Sequence, residues 1–238
     1  MKKIVIALAM LAAPVSGVAV AADAKDSWTG DVSATYIVNN GNTNGETFGG
    51  KAKAVGNWQK WRVTTRLEGV NQSDENGRTG EKYFGSAKLD RKLSDVSYVY
   101  TLLEHEDDRF SGYHYQTSLS AGYGRTVMDT DVHKLSLEGG PGYRRSEVER
   151  GDKLDEEGFI RGALAYKWTI SPTSHLTEDF SVEVGDESTI TKSSTQLKTK
   201  INSTLALTLG YDIKRNSDVP EGTKNTDTTT YVTLDYSF

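Results

Sequence analysis

Residues 226 to 238 divide between two faces, with Val232, Leu234, Tyr236 and Phe238 on one and Thr229, Tyr231, Thr233, Asp235 and Ser237 on the other. Period two is the signature of a strand, because successive side chains leave a pleated backbone on opposite sides. The same alternation recurs along the chain. Residues 201 to 213 set Ile201, Leu205, Leu207, Leu209, Tyr211 and Ile213 against Asn202, Thr204, Ala206, Thr208, Gly210 and Asp212. Residues 28 to 38 and 160 to 170 repeat it, and residues 113 to 123 and 133 to 143 follow with more glycine. Two places fit less well: residues 188 to 199, where Thr and Ser replace outward aliphatics, and Glu178, which either faces outward or marks a bulge.

The amino terminus reads as an export signal. Met1-Lys2-Lys3 is a short basic start, residues 4 to 13 are apolar but too few to span a bilayer, and Ala19-Val20-Ala21 fits the small-x-small cleavage rule. Residues 1–22 are therefore expected to be a signal peptide and residues 23–238 the functional domain. Removing Lys2 and Lys3 takes the formal charge from −5 to −7, which leaves no basic excess for nucleic acid. No cysteine is present, so disulfides and thiol chemistry are excluded. Past the signal no apolar run has helix-spanning length. A membrane-spanning chain of this kind must close as a barrel, since only closure satisfies every backbone group in lipid.

Counting period-two segments gives about twelve strands of about ten to thirteen residues, the length a tilted strand needs to cross the hydrocarbon. The connections give the same count. Short turns near residues 57–60, 94–95, 128–131, 171–173 and 200 alternate with longer polar segments near 39–46, 72–80, 106–112, 146–157, 185–188 and 215–226. Outer-membrane barrels combine tight periplasmic turns, longer external loops and an even strand number. In this register Trp28, Trp58, Trp61 and Trp168 collect at the short-turn end, where amphipathic rings favour the membrane interface. Tyr36, Phe48, Tyr83, Tyr113, Tyr143 and Tyr211 form the opposite girdle. A soluble sandwich or lipocalin-like barrel is the competing fold, but its single small cavity would have to bury the whole Leu/Val/Tyr set. The expected fold is all-β: a closed antiparallel transmembrane β-barrel of about twelve strands in the outer membrane, present as a monomer. The terminal Val232, Leu234, Tyr236 and Phe238 resemble the signal that the barrel-assembly machinery reads.

Trp28-Thr29-Gly30 with Gly41-Asn42-Thr43, then Asp108-Arg109-Phe110-Ser111-Gly112, Gly122-Tyr123-Gly124, Gly139-Gly140-Pro141-Gly142-Tyr143, Asp227-Thr228-Thr229 and Tyr236-Ser237-Phe238 follow one another in an order that resembles the YdiY-like salt-induced outer-membrane protein family. The similarity covers nearly the whole exported chain. It implies a location and a link to osmotic or ionic conditions, and it carries no set of enzymatic residues.

Function is therefore sought in the lumen and loops. Lys51, Lys53, Arg62, Arg66, Lys82, Lys88 and Lys92 face inward against Glu68 and Asp90, while Asp179, Glu183, Asp212 and Asp235 line the later strands. A basic wall opposite an acidic one orders water and ions in a narrow pore. The same charges, if paired across a small lumen, would close it. The external segments read as acidic, with Glu104, Glu106, Asp107 and Asp108 at one rim and Asp152, Asp155, Glu156 and Glu157 at another, where divalent cations could bridge to lipopolysaccharide phosphates. No dedicated metal or cofactor motif is present. A surface hydrolase would need an acid and histidine pair, for which His105 beside Glu104, Glu106 and Asp107, with His114 nearby, is the candidate. His133 reads as the one outward histidine and His175 as a luminal neighbour of Asp179. Gly139-Gly140-Pro141-Gly142 reads as a kink in a curved strand. The partners expected are membrane lipids, lipopolysaccharide, the assembly machinery and small solutes or ions.

Overall fold

In the computed structural model, which describes residues 27–39, 45–74, 77–108, 113–148, 153–219 and 224–238, the chain forms twelve strands: β1 (Ser27–Asn39), β2 (Gly45–Asn57), β3 (Trp61–Asp74), β4 (Gly77–Lys92), β5 (Ser97–Asp108), β6 (Tyr113–Asp129), β7 (His133–Val148), β8 (Lys153–Ser171), β9 (Ser174–Gly185), β10 (Thr189–Lys200), β11 (Leu205–Asn216) and β12 (Thr226–Ser237). Each pairs antiparallel with its sequence neighbours, and β12 closes back on β1. The signal segment and the loop residues Gly41 to Thr43, Arg109 to Gly112 and Asp152 lie outside the described residues. Several strands are longer than the expected span. β8 has 19 residues and β7 has 16, because the polar segment read as an external loop between them continues the ladder before turning. At the other end a strand starts late. Asn202 Oδ1 accepts the Thr204 and Leu205 amides at 2.9 and 2.8 Å, so residues 201 to 204 make a turn and β11 begins at Leu205.

Which face points outward is settled by exposure. Leu67 is 65% exposed, Ile160 63% and Val232 53%, whereas Asp90 is 1%, Glu183 3% and Asp235 4%. Hydrophobic residues outside and charges inside invert the soluble pattern and match a wall set in hydrocarbon, which excludes the lipocalin-like alternative. Trp28, Trp61 and Trp168 are exposed on this outer surface at the turn end, and Trp58 packs edge-on against Trp28 at 5.4 Å. Phe48, Tyr83, Tyr143 and Tyr211 lie exposed toward the opposite end. Tyr113 does not join them. A register shift between Tyr113 and Tyr115 reverses its face, so it is buried and its hydroxyl donates to the Asp218 carbonyl at 3.1 Å. The Tyr36 side chain lies outside the described residues.

The closing seam is short. β1 meets β12 from Asp31↔Ser237 to Ala34↔Leu234, extended by reciprocal 3.0 Å bonds between Gly30 and Phe238. The Phe238 ring lies over Gly30, where a Cβ would sit 2.4 Å from it. Inside the barrel, Asp235 accepts Ser33 Oγ and Thr208 Oγ1, each at 2.6 Å, and Thr233 Oγ1 at 2.9 Å, while Asp31 accepts Ser237 Oγ at 2.5 Å. Lys198 reaches both carboxylates, at 2.5 Å to Asp31 and 3.4 Å to Asp235. Asp235→Ala is expected to lower stability by about 2–3 kcal/mol, since it strands buried hydroxyls and weakens the short β1–β12 ladder that closes the barrel. Urea titration of the refolded protein in detergent, with Asp235→Asn losing less, checks this.

Candidate luminal site

Alternation places Lys51 and Lys53 of β2, Arg62 and Arg66 of β3 and Lys82 and Lys88 of β4 on the inner face. Arg66 reaches directly across the lumen, donating to Asp179 of β9 at 3.3 Å. Lys51 Nζ bridges a shorter arc, 3.3 Å from Asp212 of β11 with β1 and β12 between their strands, and 3.6 Å from Glu68 of the adjacent β3. Arg62 stays on its own wall, on Asp90 at 2.7 Å. Lys92 departs from expectation. Its ammonium donates to Asn57 Oδ1 and the Trp58 carbonyl, both at 2.7 Å, so it ties down the β2–β3 turn instead of facing the opposite wall.

The expected separation into a basic and an acidic wall is not what the barrel contains. Later strands also carry inward cations, Arg144 on β7, Arg161 on β8, Lys192 and Lys198 on β10 and Lys214 on β11, and these interleave with the acids. Glu104 and Glu106, expected at an external rim, instead continue the inner face of β5. Lys192 lies 3.5 Å from Glu104 across the lumen, Lys82 lies 3.1 Å from Glu106, and Lys214 is bonded to Glu106 as well. Glu138 of β7 collects Lys88, Arg161 at 3.1 Å and the Tyr98 hydroxyl at 2.8 Å. Arg144, 3% exposed, donates to Glu183 at 2.9 Å, Glu157 at 2.5 Å and Ser188 Oγ at 2.8 Å. Glu157 is thus also an inner-face residue, while Glu156 pairs outside with Arg145 at 3.7 Å.

The sequence signal for Glu104 and Glu106 was their parity with Tyr98, Tyr100 and Leu102. It was masked because those inner residues are as apolar as the outer Val99 and Leu103. Inner aromatics follow a simple local rule. Tyr98, Phe159 and Tyr231 each lie over the glycine directly opposite, Gly124, Gly142 and Gly210, where a Cβ would be 2.3, 2.3 and 2.1 Å from the ring.

Burial varies within the lumen. Toward the end opposite the termini, the Arg144 and Glu106 clusters are tightly buried, together with Phe159 and Ile190, and the Glu138 cluster is buried nearer the turn end, beside Tyr98. Nearer the middle, the Arg66 and Asp179 side chains retain 38% and 40% of their exposure although they point into a closed wall. That exposed surface can be reached only by water inside the barrel. Lys53 is exposed to the same space and makes no ion pair among the described residues, and Lys167 and Lys200 face it at the turn end.

The histidines stay apart. His105 faces outward with Nδ1 2.8 Å from Thr117 Oγ1, on the side of β5 opposite Glu104 and Glu106. His133 is outward as expected, with Nδ1 2.8 Å from the Tyr166 hydroxyl and its ring stacked on Tyr166. His175 faces inward, opposite Lys198. Among the described residues, no group of three or more His, Asp or Glu side chains is placed to hold a metal ion.

A closed twelve-stranded wall with an apolar exterior and a charged interior defines an outer-membrane β-barrel. The family model described as protein of unknown function, DUF481, matches residues 32–238, and the chain belongs to that family. It is 29% identical over 220 residues to a protein of Escherichia coli (strain K12) described as uncharacterized protein YdiY, covering 91% of this chain and 85% of the relative. Its fold is similar to that of the NanC porin, with a TM-score of 0.51 at 10% identity over 88% of this chain and 97% of the porin. An outer-membrane channel from Pseudomonas putida F1 gives 0.51 at 11% identity over 91% and 96% of the two chains.

Proposed function

We propose that the barrel is a narrow passive pore for ions or small polar solutes, whose conductance rises with salt because ion pairs span its lumen. One observation carries the reading: Arg66 and Asp179, 3.3 Å apart and about two-fifths exposed inside a sealed wall, which marks a wet interior bridged by charge. Exposed pairs are weak and screened, and the Debye length falls from about 10 Å at 0.1 M salt to about 3 Å at 1 M. Raising salt loosens Lys51–Asp212 and Arg66–Asp179, so the resemblance to salt-induced proteins acquires a physical basis. Outer-membrane lipids, including lipopolysaccharide, surround the wall, and the barrel-assembly machinery reads the terminal strand ending in Phe238.

In planar bilayers, single-channel conductance is expected to rise more steeply than bulk conductivity between 0.1 and 1 M salt. Lys51→Ala with Arg66→Ala flattens that excess, and Lys51→Glu or Arg62→Glu shifts ion selectivity toward cations. A bilayer that stays silent at every salt concentration overturns the pore. It would favour a non-conducting structural barrel, the reading supported by the buried Arg144, Glu106 and Glu138 clusters.

A further inference from the structure

Glu178 sits on the wrong side of the wall. No register shift separates β9 from β10 between Thr189↔Val184 and Thr199↔Ser174, so the bulge considered for this stretch is absent and the carboxylate faces lipid. Its cross-strand partners, Tyr166 and Thr195, are outward too. Leu176, the next outward residue toward the turn, lies opposite Trp168 of the girdle, which puts Glu178 one rung deeper, between Leu176 and Phe180. Ser193 Oγ donates to its Oε1 at 2.6 Å and Thr195 Oγ1 to its Oε2. These two hydroxyls fill about half of the roughly four acceptor positions of a carboxylate, and lipid supplies nothing for the rest. Ionisable groups facing hydrocarbon are costly and call for a partner.

A fitting partner exists on another part of the same outer surface. Arg125 of β6 lies outward between Tyr123 and Val127, opposite Ser97 and Leu137. It has no hydrogen bond, ion pair or ring contact among the described residues. The other outward basic residues within the ladder are occupied or remote: Arg91 covers Trp61 at 5.8 Å, Arg145 pairs with Glu156 at 3.7 Å, and Arg215 stands at the opposite end of the wall. Glu178 and Arg125 cannot meet within one barrel, because β7 and β8 stand between their strands.

We propose that the protein self-associates in the membrane through this complementarity, the Glu178 face of β9–β10 on one copy meeting Arg125 on β6 of the next. An Arg–carboxylate pair shielded from water is strong and orienting, and hydroxyl-rich faces reinforce association in lipid. The two patches lie about a quarter of the circumference apart, so the contact is head-to-tail and closes as a small ring of about four copies.

The test uses the refolded exported chain in lipid nanodiscs or mild detergent, read by native mass spectrometry, with heat-modifiable gel migration as the check on folding. The wild type is expected to show a discrete oligomer. Glu178→Arg and Arg125→Glu each abolish it, and the double swap restores it. Where a charge reversal fails to fold, Glu178→Gln and Arg125→Gln give the same loss. The chain has no cysteine, so Leu176→Cys with Val127→Cys adds a clean crosslink that yields a ladder of linked copies in bilayers, while either cysteine alone yields at most dimers. A monomeric wild type with no ladder overturns the proposal, as does an oligomer indifferent to both charges. Neither result bears on whether the lumen conducts.

Discussion

Arg144→Leu is expected to destabilise the barrel by about 3–5 kcal/mol, the range for breaking a buried ionic network from one side. Arg144 holds Glu183 of β9, Glu157 of β8 and Ser188 of the β9–β10 turn together, and the Glu183 and Glu157 side chains are only 4% and 10% exposed. Glu157 in turn accepts the Glu187 and Ser188 amides at 3.0 and 3.2 Å. Removing the guanidinium leaves two carboxylates facing each other without a counter-charge, and the turn they organise loses its anchor. The measurement is the urea midpoint in detergent micelles. Arg144→Lys should lose less than Leu, since an ammonium keeps the charge but not the forked geometry. Arg144→Leu combined with Glu157→Gln and Glu183→Leu should recover much of the loss, because the penalty lies in the orphaned acids. A single-variant effect under about 1 kcal/mol would show that the network contributes little.

The same reasoning separates two kinds of charge in one lumen. Arg144, Glu106 and Glu138 lie where water has been displaced, so their pairing is required for the wall to hold its shape. Arg66, Asp179, Lys51 and Asp212 keep water beside them, and their pairing is a weaker, salt-sensitive contact. Mutation of the first group should therefore be read in stability and mutation of the second in conductance.

Alternation made the wall legible. β11 up to Ile213 and β12 from Tyr231 onward could be read residue by residue because their outer face is aliphatic or aromatic while their inner face is largely polar or small. The tryptophan positions followed from that register. Parity failed where a bulge intervened, as at Tyr113, and where both faces of a strand are apolar, as in β5, so that Glu104 and Glu106 looked like loop residues. Lys92 could not be assigned because its partner is a main-chain carbonyl in a turn, which composition does not reveal. The cross-lumen pairs were beyond reach for a different reason. Which inner residue of β2 faces which of β11 depends on strand stagger around the whole barrel, a property no local window contains. Glu178 is the instructive opposite case: the alternation placed it correctly, and only its chemistry argued for a bulge.

Gly140→Ala is expected to prevent recovery of a folded barrel. The β6–β7 ladder runs from Tyr113↔Val148 to Ser120↔Gly142 and resumes at Tyr123↔Gly139; in the gap, Pro141 has no amide to donate. The two backbones touch there. A Cβ on Gly140 would lie 2.1 Å from the Ala121 carbonyl oxygen and 2.5 Å from Gly122 Cα, and one on Gly122 would lie 2.2 Å from the Gly139 oxygen. The obstruction is backbone on both sides, so no side chain can swing away and the strands themselves must part, at a cost above about 3 kcal/mol. Gly139→Ala is the control, because its Cβ would meet nothing closer than the Arg161 oxygen at 3.7 Å. Refolding into detergent, scored by heat-modifiable gel migration, should give the folded band for Gly139→Ala and lose it for Gly140→Ala and Gly122→Ala. Equal recovery of all three would mean that the kink at Gly139-Gly140-Pro141-Gly142 can relax, and that the close approach is a tolerance of this corner instead of its cause.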